Sequence, residues 1–228
     1  MNGVLLIDKP PSWTSFDVVN YVRKILARAA GKKPKQVKVG HTGTLDPMAT
    51  GLLVLLLGSY TKKAPELSRL DKTYEVTMKL GETSTTGDEE GEKTTISNKK
   101  PTPNELELTL RKFVGEIWQT PPAYSAIKVA GQRAYKLARQ GQVVKLEPRK
   151  VKIYDLRLTT YSYPQVEFTV NVSSGTYIRS LAEDIGHELG TGAYLSDLRR
   201  TRVGQFSIRD AQSIENLTAE QIYKKLQT

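Results

Sequence analysis

The chain has 228 residues, with 34 Lys and Arg against 24 Asp and Glu, so its formal net charge is +10. That excess points to a polyanionic partner, such as nucleic acid or an anionic membrane surface. The absence of cysteine excludes disulfides, thiolate metal sites and thiol nucleophiles, and two histidines, His41 and His187, argue against a histidine-rich metal centre. The longest strongly apolar run, Leu52 to Leu57, is far shorter than the roughly 20 residues of a membrane helix. The N-terminus lacks the pattern of a signal peptide, so the expectation is a soluble cytoplasmic protein with no membrane association.

In chain order, Val4 to Asp8 predicts a short strand stopped by Lys9-Pro10-Pro11. Ser15 to Ala30 places Phe16, Val19, Val22, Ile25, Leu26 and Ala29 at helical spacing, with Ser15 as N-cap. A basic loop, Gly31 to Lys38, leads into a glycine-rich segment from Gly40 to Gly51. Leu52 to Leu57 predicts a buried strand and Lys72 to Leu80 an alternating, half-buried one. Thr83 to Lys100 is polar and reads as loop. Thr102-Pro103-Asn104-Glu105 starts a helix that runs to about Phe113 and stops at Gly115. Ala134 to Gln140 predicts a short helix. Lys150 to Thr160 and Gln165 to Ser173 predict an antiparallel pair. Tyr177 to Leu189 predicts an amphipathic helix ended by Gly190, and Thr218 with Gln221 announces a last helix over Ala219 to Leu226. Strands and helices mixed without βαβ alternation predict an α+β fold around a largely antiparallel sheet.

The charge is unevenly placed. From Lys128 to Lys152 eight basic residues stand against one acid, Glu147, and are interleaved with Tyr135, Gly131 and Gly141. Such a stretch fits either a solvated face or an element that follows a phosphate backbone. Arg199, Arg200, Arg202 and Arg209 form a second cluster. Within Gly40 to Gly51, Pro47 biases Asp46 out of the helical region, which holds a carboxylate on a rigid loop five residues after His41. Taken alone, this loop fits an ordinary Asp-Pro turn as well as it fits a nucleophile. It has no Gly-Lys-Ser/Thr continuation, so it is not a Walker-type phosphate loop.

The loop from Gly40 to Gly51 resembles the nucleophile motif of the TruB family of tRNA pseudouridine synthases. Five further segments stand in that family's order: Leu6-Ile7-Asp8-Lys9-Pro10 with Ser15, Asp71 to Tyr74, Pro121 to Lys128, Ser174 to Asp184, and Leu198 to Thr201. The resemblance implies a pseudouridine synthase catalytic fold over residues 1–210, an RNA-gripping insertion at about 121–152, and a short helical tail over 211–228. Bacterial members usually continue into a PUA-type module. The chain stops at Thr228, so that module is expected to be absent.

The resemblance also implies a reaction. Uridine within RNA is isomerised to pseudouridine in the T-loop of tRNA, at position 55, without metal or cofactor. Asp46 matches the nucleophile, Arg179 the arginine that keeps that carboxylate ionised, and Tyr74 the tyrosine that stacks on the extruded base. Tyr177 and Leu198 match pocket-lining positions, His41 a histidine that contacts RNA beside the flipped nucleotide, and Lys9 a position that either braces the loop or contacts RNA. Lys128, Arg133, Lys136, Arg199 and Arg200 are the expected contacts to the RNA backbone. The expected partner is the T-arm of tRNA, bound by a monomer with no obligate protein partner. Two alternatives remain open: a non-catalytic RNA-binding or tRNA-folding protein on the same fold, and the same chemistry on another RNA.

Overall fold

The structure, a computed structural model, describes residues 2–125, 127–129 and 131–227. Ala126, within the Pro121 to Lys128 block, lies outside the described residues. In chain order the elements are β1 (Gly3–Lys9), α1 (Ser15–Ala29), β2 (Val39–His41), β3 (Thr50–Leu57), α2 (Ala64–Leu67), β4 (Lys72–Leu80), β5 (Glu82–Ser84) and β6 (Lys93–Thr95). There follow α3 (Pro103–Lys112), β7 (Gly115–Gln119), β8 (Lys128–Val129), β9 (Gln132–Arg133), α4 (Ala134–Arg139), β10 (Arg149–Ser162) and β11 (Gln165–Val172). The chain ends with α5 (Ile178–Glu188), β12 (Ala193–Val203), β13 (Phe206–Ser207), β14 (Gln212–Ser213) and α6 (Ala219–Lys225). No helix among the described residues is long and apolar enough to cross a membrane. The strands pair mostly antiparallel, with a few parallel pairs, so the fold is α+β as expected.

The chain forms two compact units, residues 1–74 with 198–228, and residues 75–197. In the first, β3 pairs antiparallel with β1 along its whole length, from Gly3↔Leu57 to Lys9↔Gly51, and with β2. Successive side chains of a strand point to opposite faces. Leu53, Leu55 and Leu57 therefore join Leu5, Ile7, Val18, Val22 and Leu26 in one cluster, while Leu52, Val54 and Leu56 join Val4, Leu6, Val203 and Phe206 in another. The apolar run of β3 is explained by this: both of its faces are buried. β3 also pairs parallel with β12 through Arg199↔Thr50 and Arg200↔Gly51. A Cβ at Gly51, whose φ is +98°, would stand 2.4 Å from the carbonyl oxygen of Arg200, so only glycine fits.

The N-cap of α1 is Thr14 rather than the expected Ser15, and Thr14 with Asp17 forms a capping box. Ser15 instead turns inward, donating through Oγ to the carbonyl of Leu45 and accepting from its amide.

In the second unit, β10 lies between β7 and β11 and pairs antiparallel with both. Its alternating pattern buries Val151, Ile153 and Leu156, and β11 buries Val166, Phe168, Val170 and Val172. The helix α3 starts on the expected Thr102–Glu105 capping box and packs against β10 and α5. The stretch expected as loop over 83–100 contains a two-stranded hairpin, β5 with β6. The strands β7 and β12 have no counterpart among the expected elements. Each is short of regular alternation: β7 holds an exposed Trp118, and β12 carries four charged residues.

Candidate functional site

Asp46 lies on the connection between β2 and β3, and the structure fixes that connection through its neighbours. Leu45 is held at both its amide and its carbonyl by Ser15 Oγ, at 2.8 and 3.1 Å. The carbonyl of Pro47 accepts from the amide of Ser12 at 2.9 Å and from Lys9 Nζ at 3.1 Å. The carbonyl of Gly43 accepts from Arg200 Nη2 at 3.0 Å, and the amide of Ala49 donates to the carbonyl of Asp46 itself. An Asp-Pro turn on a free loop would have none of these long-range ties.

Lys9 is fully buried, and its Nζ also donates to the carbonyls of Pro10 and Trp13. Burial pushes its pKa down to about 8, a shift opposed by the charge of Asp46 and increased by Arg200. Its Nζ hydrogen bonds to Pro10, Trp13 and Pro47 all go to backbone carbonyls, so Lys9 braces the loop. Arg200, expected among the RNA-backbone contacts, lies in the interior instead. At 1% exposure, with Nε donating to Leu52 O at 2.8 Å and Nη2 to Gly43 O, it cannot reach an RNA backbone; it ties the Asp46 loop to β3. Lys72 is a third buried cation, pushed down to about 8 by burial and then by Arg200, and it donates to the carbonyls of Ser68 and Leu70.

His41 ends β2. Burial first and the charge of Arg200 second lower its pKa, which keeps the imidazole neutral at pH 7. Its Nδ1 is buried and makes no hydrogen bond among the described residues. Tyr74 on β4 and Leu198 on β12 are both buried, and the carbonyl of Leu198 is at 3.5 Å from Thr50 Oγ1. Arg199 makes a bidentate pair with Asp8, at 3.1 and 2.7 Å, and remains partly exposed.

The second unit carries Arg179 on the first turn of α5. Its Nη1 donates to Thr86 O at 3.1 Å and lies 3.5 Å from Asp88 Oδ2, and its Nη2 donates to Tyr124 O at 2.8 Å. Both side chains of the Arg179–Asp88 pair are 6% exposed, so the guanidinium sits in a dry setting with a counter-charge. Asp88 is in turn bonded to Thr86 Oγ1 and the amide of Glu90. Glu183, one turn along α5, is pushed up to about 7 by burial, then by Asp184, with Arg179 opposing and Asp88 adding to the shift.

Tyr177, the N-cap of α5, is held by Gln119, and its ring lies 4.8 Å from the guanidinium of Arg149. Ser180 Oγ donates to Thr120 O at 2.9 Å, so residues 119, 120 and 124 together fix the start of the arginine helix. Lys128, Arg133 and Lys136 are all exposed, on the β8–β9 hairpin and α4. Asp88 and Gln119 carry no signal in the sequence, whereas Glu183 lies within the Ser174 to Asp184 segment without being singled out there. Asp88 stands among Glu89, Glu90 and Glu92 with nothing in its spacing to set it apart, and Gln119 ends a strand that lacks the alternation by which strands are found.

A family model described as "TruB family pseudouridylate synthase (N terminal domain)" matches residues 28–178, and one described as "tRNA pseudouridylate synthase B C-terminal domain" matches residues 179–227. A protein of Opitutus terrae named tRNA pseudouridine synthase B is 42% identical over 230 residues, covering 99% of this chain and 92% of that one. Its namesake in Flavobacterium johnsoniae is 43% identical over 215 residues, covering 92% of each. Among solved structures, a chain of a Cbf5-Nop10-Gar1 complex superposes with a TM-score of 0.74 at 30% identity, covering 99% of this chain; this chain spans 59% of that one. The matched profiles run through both units and include the Asp46 loop and the arginine helix, and on these grounds the chain belongs to the TruB family of pseudouridylate synthases.

Proposed function

We propose that the chain isomerises uridine to pseudouridine in the T-loop of tRNA, at position 55. In this reading the N-glycosidic bond of the flipped nucleotide breaks, the uracil turns over, its C5 bonds to the ribose C1′, the C5 proton leaves and N1 takes up a proton. The product is an isomer of the substrate, so no reagent is consumed. Asp46 is the nucleophile, Tyr74 stacks on the extruded base, and Arg179 keeps the Asp46 carboxylate ionised and oriented. Tyr177 and Leu198 line the base pocket, and neutral His41 contacts the RNA beside the gap. Lys128, Arg133, Lys136 and Arg199 grip the RNA backbone, which offsets the few kcal/mol that unstacking costs.

The observation that carries the reading is the immobilisation of the Asp46 loop. A carboxylate whose flanking peptides are held by Ser15, Lys9 and Arg200 is positioned for reaction before substrate arrives. The relatives' name, tRNA pseudouridine synthase B, supports the substrate class. The test incubates the protein with an unmodified tRNA transcript and maps pseudouridine, with Asp46→Asn as control. Pseudouridine at position 55 with the wild type and none with Asp46→Asn is expected. Product from the variant at the wild-type rate refutes the nucleophile. Binding without product in the wild type favours an RNA-folding protein instead, and product only in another RNA reassigns the substrate.

A further inference from the structure

The edge strand β7 and its neighbour β10 form a ribbon whose outward face is unusual. In their antiparallel register Trp118 stands opposite Lys150 and Glu116 opposite Lys152, so these four side chains share one face. Tyr154, two residues beyond Lys152 and exposed like it, continues that face. Trp118 is 69% and Tyr154 41% exposed. An indole left in water forfeits the gain of burial, and a solvent-facing Trp and Tyr on one strand pair mark a contact surface rather than a packing position. The flanking charge is positive. Lys152 Nζ lies 5.2 Å from the Tyr154 ring centroid, and Lys150 pairs with Glu116 at 2.7 Å. That exposed ion pair is weak and can exchange its carboxylate for a phosphate.

We propose that this face is a second RNA contact, taking an unpaired stretch of the substrate RNA by stacking bases on Trp118 and Tyr154 and pairing phosphates with Lys150 and Lys152. The inference rests on the reading of the chain as an RNA-modifying enzyme. Tyr154 stands four residue steps along β10 from Lys150, the cross-strand partner of Trp118, a separation of about 13 Å that an extended polynucleotide crosses with its phosphates over Lys150 and Lys152. The occupant is single-stranded, because the flat face of a base reaches an aromatic side chain only when it is unstacked. Charge decides against a protein: lysine is depleted at protein interfaces, and a second copy of this chain would set lysine against lysine. The face also continues directly from the basic segment, which ends at Lys152 on the same strand.

The chain contains two tryptophans, so Trp13→Phe leaves Trp118 as the sole indole reporter. Titrating that variant with oligouridylate is expected to quench its emission saturably and reversibly with salt, while a blunt RNA duplex leaves it unchanged. The double variant Trp118→Ala, Tyr154→Ala is expected to bind oligouridylate at least about tenfold more weakly, with conversion of an isolated T-arm hairpin unaltered. Unquenched emission, or unchanged affinity in the double variant, overturns the proposal. Emission that changes with protein concentration in the absence of RNA assigns the face to self-association and overturns it as well. Quenching in a protein that makes no pseudouridine separates the two claims, leaving the platform and removing the enzymatic reading.

Discussion

The side-chain amide of Gln119 grips the backbone of Tyr177 at both ends, donating through Nε2 to its carbonyl at 3.0 Å and accepting through Oε1 from its amide at 2.7 Å. Gln119 is 1% exposed, and α5 begins one residue after Tyr177 with no side-chain N-cap among the described residues. The clamp thus sets the angle at which the arginine helix leaves the preceding loop. Replacing Gln119 by Leu leaves a buried amide and carbonyl unpaired, at a cost of about 2 kcal/mol in stability. The expected outcome is a fall in single-turnover rate at saturating RNA of roughly tenfold or more, with dissociation constant little changed. Weakened binding at an unchanged rate would contradict it.

Asp88 supplies a counter-charge to Arg179 across 3.5 Å. Removing a close counter-charge from a buried guanidinium costs stability, because the dry setting screens the remaining charge poorly. Asp88→Ala is therefore expected to lower the melting temperature and nearly abolish turnover, and Asp88→Asn to keep more stability than Asp88→Ala. Calorimetry of the two variants beside their rates checks the order.

The cations divide into two kinds with different salt responses. Reversing Lys128, Arg133 and Lys136 to Glu is expected to weaken RNA binding and flatten its dependence on salt, with no loss of fold. Arg200→Lys is expected to do the opposite. A lysine cannot reproduce the fork that reaches Leu52 O and Gly43 O, so the protein loses about 2 kcal/mol of stability while the slope of log affinity against log salt stays unchanged. A flatter slope for Arg200→Lys would return that residue to the RNA contacts.

Glu183 makes stability depend on pH. Its carboxyl is pushed up to about 7 from an ordinary value of 4.5, so folding favours the protonated form. The stabilisation is complete below about 4.5 and is lost as pH rises through about 7. Glu183→Gln, neutral throughout, is expected to remove that slope, worth on the order of 1–2 kcal/mol after allowing for partial exposure. Denaturant unfolding at several pH values reads it directly; an unchanged slope in the variant would move the titration to another group.

Elements with strong local signals are legible in the sequence: the apolar run of β3, the helical spacing of α1, and the capping boxes at Thr102 and Thr218 all fall where local rules put them. What is illegible there depends on distant partners. Ser15 looks like a cap, yet its hydroxyl serves Leu45, thirty positions away in the chain. Arg200 looks like an RNA contact because arginine clusters usually are, and only its placement opposite Gly51 in β12 shows that it is interior. The alternation that reveals a strand is masked in β12 by its arginines and in β7 by the solvent-exposed Trp118.

The burial of β3 on both faces has a kinetic consequence for the loop that precedes it. Amides of a strand enclosed on two sides and paired along both edges exchange with solvent only through the largest unfolding events. Gly51, the second residue of that strand, lies five positions from Asp46, and Ser15, Lys9 and Arg200 extend the same enclosure backwards over the loop. The carboxylate is therefore mounted on the slowest-opening part of its unit, and deuterium labelling of Leu45 should lag with that of Leu53 and Leu55 rather than lead with the surface loops.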